Sequence, residues 1–84
     1  MARYFFNIYN GTQTRDDEGS ECTSVDEVRA EAVETIEDLV RDRLLRHGDP
    51  SSMTVNVIDT DGKTVMIVTA TATIETVKGS SLTP

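Results

Sequence analysis

The residues richest in chemistry are four acids on one short stretch, Asp16, Asp17, Glu18 and Glu21. A hard cation wants several oxygen ligands, and such a stretch offers them. The spacing fits no calcium-loop pattern, however. A solvated turn explains the same residues, with Asp for turn hydrogen bonding and Gly19 for positive φ. The turn is the preferred reading. Arg29 and Arg43 fall inside the apolar stripe of a predicted helix. A guanidinium held there could grip the carboxylate of a ligand or of a partner chain. It could equally lay its stem on apolar surface and keep its head in water, and Arg29 could pair with Asp17 or Glu21. His47 is the sole histidine and has no Cys-His or His-His spacing that would hold a metal. At a predicted helix C-terminus it suits capping. Cys22 lies just ahead of a helix start, which lowers a thiol pKa, but the acids around it push the other way. A nucleophile would also need a base held beside it. There is no phosphate-binding glycine loop and no G-x-S-x-G. The expectation is no enzyme, no metal and no cofactor.

The element that must position these groups is one helix, predicted from Ser24 to Gly48. Ser24 and Glu27 form a capping box. Gly48 can close the helix in the left-handed conformation, and Asp49-Pro50 forbids continuation. Acids fill the first half and Arg41, Arg43 and Arg46 the last turns, an order that complements the helix dipole. Val25, Val28, Ala32, Ile36, Leu39 and Val40 share one stripe, with Val33 and Leu44 on its flank. Leu45 falls on the opposite side. A single stripe implies a single covered face.

The flanking segments read as strands. Arg3–Tyr9 puts Tyr4, Phe6 and Ile8 on one face and Phe5, Asn7 and Tyr9 on the other. Asn10-Gly11 signals a two-residue hairpin into a weaker strand over Thr12–Arg15. Met53–Asp59 alternates as a half-buried strand. Asp61-Gly62 turns it into a long fourth strand from Lys63 to about Val77, nearly all apolar at its start. The predicted fold is α+β, β-β-α-β-β, one long helix on a mainly antiparallel four-stranded sheet. The first and fourth strands are expected at its centre. Residues 1–77 form one domain, and 78–84 read as a disordered tail.

Composition narrows the partners. Eight Lys+Arg against fifteen Asp+Glu give a net charge of −7, so neither nucleic acid nor an anionic membrane surface is expected as a partner. The aromatics Tyr4, Phe5, Phe6 and Tyr9 lack the basic frame of a base-stacking platform. No apolar run approaches the roughly 20 residues of a membrane span, and the N-terminus has no secretory pattern. A lone Cys22 fits a reducing, cytoplasmic home.

The segments R-Y-F-F-N-I, D-D-E-G-x-E, R-A-E-A and V-I-D-x-D-G resemble a family of small uncharacterised proteins associated with rhizobia-like soil bacteria. Its pattern runs Y-F-F, D-x-x-G-x-E, R-x-E-A and V-x-D-x-x-G, over about residues 3–70. The matching positions are taken as Tyr4, Phe5, Phe6, Asp17, Gly19, Glu21, Arg29, Glu31, Ala32, Val57, Asp59 and Gly62. The family is a domain of unknown function, so the resemblance implies no activity, cofactor or catalytic residue.

One helix covers one sheet face, yet Phe5 and Tyr9, with one of the two alternating sets of the last strand, point away from it, so a second cover is expected. A homodimer is the simplest, by stacking of sheet faces or by edge pairing of the long last strand, with Phe5 and Tyr9 as the candidate dimer or partner surface. The leading expectation is a protein-interaction or accessory module, homodimeric, with another protein as a further candidate partner. The alternative is a module for an anionic small molecule, with a pocket between helix and sheet or at the dimer seam, using Arg29 or Arg43.

Overall fold

The structure, a computed structural model, describes residues 2–46 and 51–77. It runs β1 (Ala2–Tyr9), β2 (Gln13–Thr14), β3 (Ser20–Cys22), α1 (Val25–Arg46), β4 (Ser51–Ile58) and β5 (Thr64–Ala72). The fold is α+β: one long helix on an antiparallel sheet. The expected fourth strand is β5, and it ends at Ala72 rather than near Val77. The expected readings of His47, Gly48, Asp49-Pro50 and the 78–84 tail lie outside the described residues.

The sheet order is β2-β1-β4-β5, with β3 also paired to β1. All pairs are antiparallel. β1 is central, as its aromatic run suggests. Its inner neighbour is β4, not β5; β5 is an edge strand, which corrects the expected centre. The reason is visible in β4, where Met53, Val55 and Val57 are the most deeply buried large side chains. Their period of two carried more burial than the longer apolar run of β5.

β2 and β3 are two pieces of one interrupted edge. β2 pairs with Ile8 and Tyr9 of β1; β3 pairs with Ala2, Arg3 and Tyr4. Between them residues 15–19 leave the ladder. The β1–β2 connection spans Asn10–Thr12, since Tyr9 lies opposite Gln13. It is therefore a three-residue loop rather than the two-residue turn expected of Asn10-Gly11. The β4–β5 turn is held by Asp59, whose Oδ1 accepts from the N–H groups of Asp61 and Lys63, both at 2.9 Å.

α1 begins as its sequence dictates. Ser24 Oγ accepts the Glu27 N–H at 3.2 Å. The Glu27 carboxylate reaches back one residue further than a simple capping box, accepting the Thr23 hydroxyl and the Thr23 N–H, both at 2.7 Å. These two donors, the hydroxyl first, hold the Glu27 carboxyl below its ordinary pKa. Val28, Ala32 and Ile36 are buried against the sheet. They meet Phe6 of β1, the three β4 side chains, and Cys22 and Ala72. Val25 is 66% exposed and so lies off the buried stripe that the wheel assigned it.

Candidate functional site

Among the described residues nothing covers the sheet face opposite the helix. On β1 the side chains of Tyr4, Phe6 and Ile8 join the core, so Phe5, Asn7 and Tyr9 point the other way. Pairing extends this face across the sheet. Phe5 stands opposite Ile58, Asn7 opposite Asn56, and Tyr9 opposite Thr54; Asn56 and Thr54 then face Ile67 and Thr69. Tyr9 is 57% and Ile67 63% exposed, and Val65, beside a register shift at Val57/Ile58, is exposed as well. The face therefore has an apolar end, Phe5, Ile58, Val65 and Ile67. Its other end is a hydroxyl ladder, with Thr54–Thr69 and Ser52–Thr71 oxygens each 3.4 Å apart. Between them the Asn56 Oδ1 is shielded from solvent and has no hydrogen-bond partner among the described residues. Phe5 is half-buried rather than free. It forms the floor of a cleft of about 310 Å³ walled by Arg15, Asp16, Asp59 and Gly62.

The acidic stretch is a built turn. Asp16 Oδ2 accepts the Phe6 N–H at 3.0 Å, where the edge strand is interrupted. Its Oδ1 accepts the Glu18 and Gly19 N–H groups, and its own N–H donates to Asn7 Oδ1 at 2.9 Å. Burial alone would raise the Asp16 pKa; the N–H groups of Phe6, Gly19 and Glu18 more than offset it and hold the carboxyl below its ordinary value. The D-x-x-G-x-E spacing runs through Asp16, Gly19 and Glu21, so the structural acid of the motif is Asp16, not the Asp17 assigned from sequence. Arg3 ties the turn down, donating to Glu18 O at 2.7 Å and pairing with Glu21 at 3.3 Å. Both Asp16 oxygens are thus occupied by the backbone. Among the described residues no group of three or more His, Cys, Asp or Glu is placed to hold a metal ion.

The two arginines separate. Arg29 is not in the buried stripe. Its side chain is 64% exposed and pairs loosely with Asp26, one turn back, at 3.6 Å. Neither Asp17 nor Glu21 is its ion-pair partner. Arg43 is half-buried and donates from Nη2 to Asn10 O at 2.8 Å, clamping the end of α1 to the β1–β2 loop. Its Nε is shielded and has no partner among the described residues. Neither arginine lines the Phe5 cleft. Cys22, 5% exposed, is packed in the core. Burial pushes its thiol pKa up, and the Glu27 and Glu31 carboxylates push the same way. A thiol-specific reagent at pH 8 is expected to label Cys22 far more slowly in the folded protein than in urea. Equal rates would remove it from the core.

Sequence reasoning left open which alternating set of the last strand joins Phe5 and Tyr9 on the bare face; the register shows that it is the set of Val65 and Ile67, with Ile58 beside them. Arg15 beside the Phe5 cleft gave no periodic signal because it sits in an irregular loop. α1 is not apolar enough to cross a membrane. Residues 3–71 match a domain of unknown function, DUF6894. No curated protein and no solved structure matches the chain.

Proposed function

The chain belongs to the DUF6894 family of unknown function, and on that premise we propose that it is a small non-enzymatic protein-interaction or accessory module that acts as a homodimer. The observation that carries the interaction reading is the sheet face that no described residue covers, which a second copy or another protein would cover. A single helix covers one side, while Tyr9, Val65 and Ile67 stand exposed on the other beside Phe5 and Ile58. A sheet apolar on both faces gains by a second cover, at roughly 25 cal/mol per Å² of apolar surface removed from water. The anionic-ligand alternative finds less support, because Arg29 faces solvent and Arg43 is committed to Asn10 O. A setting in the cytoplasm of soil bacteria belongs to the same proposal; it rests on the motif resemblance and on the lone Cys22.

Light scattering over a dilution series, at low and high salt, tests the homodimer. The expected mass is twice the 9.2 kDa of one chain, at high micromolar concentration. High salt should leave it unchanged or strengthen it, since screening weakens the repulsion between two chains of net charge −7. A monomer at that concentration would sink the reading.

A further inference from the structure

Resting on the homodimer reading, we infer that the second copy docks along the free edge of β5, antiparallel about a twofold axis through Val68, and that the apolar flanks of the two helices meet above the seam. Edge strands of monomers are usually blunted by a charge, a proline, a bulge or shortness. β5 is nine residues of T-V-M-I-V-T-A-T-A, with no charge, no proline and no glycine. In a chain of net charge −7 this edge lets two copies approach without setting carboxylates against each other. Among the described residues nothing in the sheet order lies beyond β5.

The helix adds an independent observation. Glu31 and Thr35 line a cleft with Phe6, Ile8 and Thr14, so that flank of α1 faces β1 and β2. At 100° per residue Val33, Val40 and Leu44 lie on the other flank, on the β5 side. Val33 is 38% exposed, and Val40 and Leu44 line an open, mainly apolar cleft of about 480 Å³ that Glu37 and Arg41 border. The uncharged strand edge and the apolar helix flank therefore share one side of the molecule.

The geometry closes. A twofold at Val68 pairs Met66 with Ala70 and Ile67 with Thr69 of the other copy, keeping both helices on one face. Helices lying above β4 and β5 come about 10 Å apart across a seam with strands 4.8 Å apart, which is packing distance. They run antiparallel, so the Asp26 end of each lies beside the Arg41 end of the other. The seam is about 30 Å long and two layers deep, on the order of 600 Å² per chain. That reaches the lower bound of roughly 1,200 Å² in total for a stable interface. The pairing also accounts for the apolar run of β5, which is interior in the joined sheet, and it leaves the two bare faces side by side as one surface for the protein partner of the interaction reading.

Isotope-filtered NOE spectra of a mixed labelled and unlabelled sample of the native chain test this. Intermolecular contacts between Met66 and Ala70, and between Val33 or Val40 and the facing helix, are the expected result. Filtered contacts confined to Tyr9, Ile58 and Ile67 would mean stacked faces; they would overturn the seam while leaving the homodimer. A monomeric mass would overturn both. As a second arm, Val33→Glu puts a charge on an exposed helix position and is expected to weaken dimerisation at least tenfold with the helix content unchanged. An unchanged dimer would overturn the seam.

Discussion

Asp16→Ala is expected to destabilise the fold by about 2–4 kcal/mol, from hydrogen bonds to a charged group worth roughly 1.5–3 kcal/mol each. Two of the three N–H groups it serves, those of Phe6 and Gly19, are half-buried and would be left without a partner. The Glu18 N–H is exposed and water can replace the carboxylate there. For a chain of this size, total stability is on the order of 4–12 kcal/mol, so the loss is a large fraction. It should lower the melting temperature by roughly 10–25 °C, read by circular dichroism or urea titration. Asp17→Ala is the control; Asp17 is exposed and makes none of these contacts, so a change within about 0.5 kcal/mol is expected. Equal losses for the two would refute the assignment.

The same residue sets a pH dependence. The folded Asp16 pKa lies below its ordinary value. Its stabilisation is therefore complete above the ordinary carboxylate pKa, near 4, and disappears as pH falls through the lower folded value. The gap between the native chain and Asp16→Ala should be widest near neutral pH and narrow below about pH 4. Some acid sensitivity will remain in the variant, because Glu27 is depressed in the same direction.

The helix and β1 were legible because each states its period without competition. Ser24 opens α1, and Val28, Ala32 and Ile36 face the core as the wheel requires. β4 was legible for the same reason. β3 was not: Ser20-Glu21-Cys22 is too short and too polar for a period, and it is a strand only because Asp16 and Gly19 return the chain to the edge of β1. Arg29 and Arg43 show a different limit. Both sit near the apolar stripe by angle, yet Arg29 escapes to solvent and Arg43 finds a backbone carbonyl. A long flexible side chain can leave the position its Cα assigns it, so helical angle alone could not place their charges. Strand order failed where the sequence carried the strongest apolar signal. The β5 run describes a covered strand, and within one chain its outer edge is bare. The candidate face was largely legible: Phe5, Tyr9 and one alternating set of the last strand follow from alternation within each strand, whereas the choice of the Ile67 set and the addition of Ile58 come only through register.

Gly19 gives the last test of how the interrupted edge is built. Its φ is +74°, and a Cβ would lie 2.8 Å from Tyr4 O, 2.9 Å from Phe5 Cε1 and 3.0 Å from Arg3 Cγ. The arginine stem can swing away and the phenyl ring can tilt. The Tyr4 carbonyl cannot, because it belongs to the central strand at the position paired with Ser20. Gly19→Ala therefore carries two costs, about 1 kcal/mol for the left-handed backbone and roughly 1–3 kcal/mol for forcing β3 away from β1. Gly62 separates them. Its φ is +80°, and nothing lies within 4 Å of a Cβ there, so Gly62→Ala should cost only the first, about 1 kcal/mol. In urea titrations Gly19→Ala is expected to lose about 2–4 kcal/mol. The excess over Gly62→Ala measures how tightly the acidic turn is pressed against β1. Equal losses would mean that the turn has room to move. The Phe5 cleft, which shares its wall with that turn, would then lack a fixed shape, and the bare sheet face would be a softer surface than the contacts around Asp16 require.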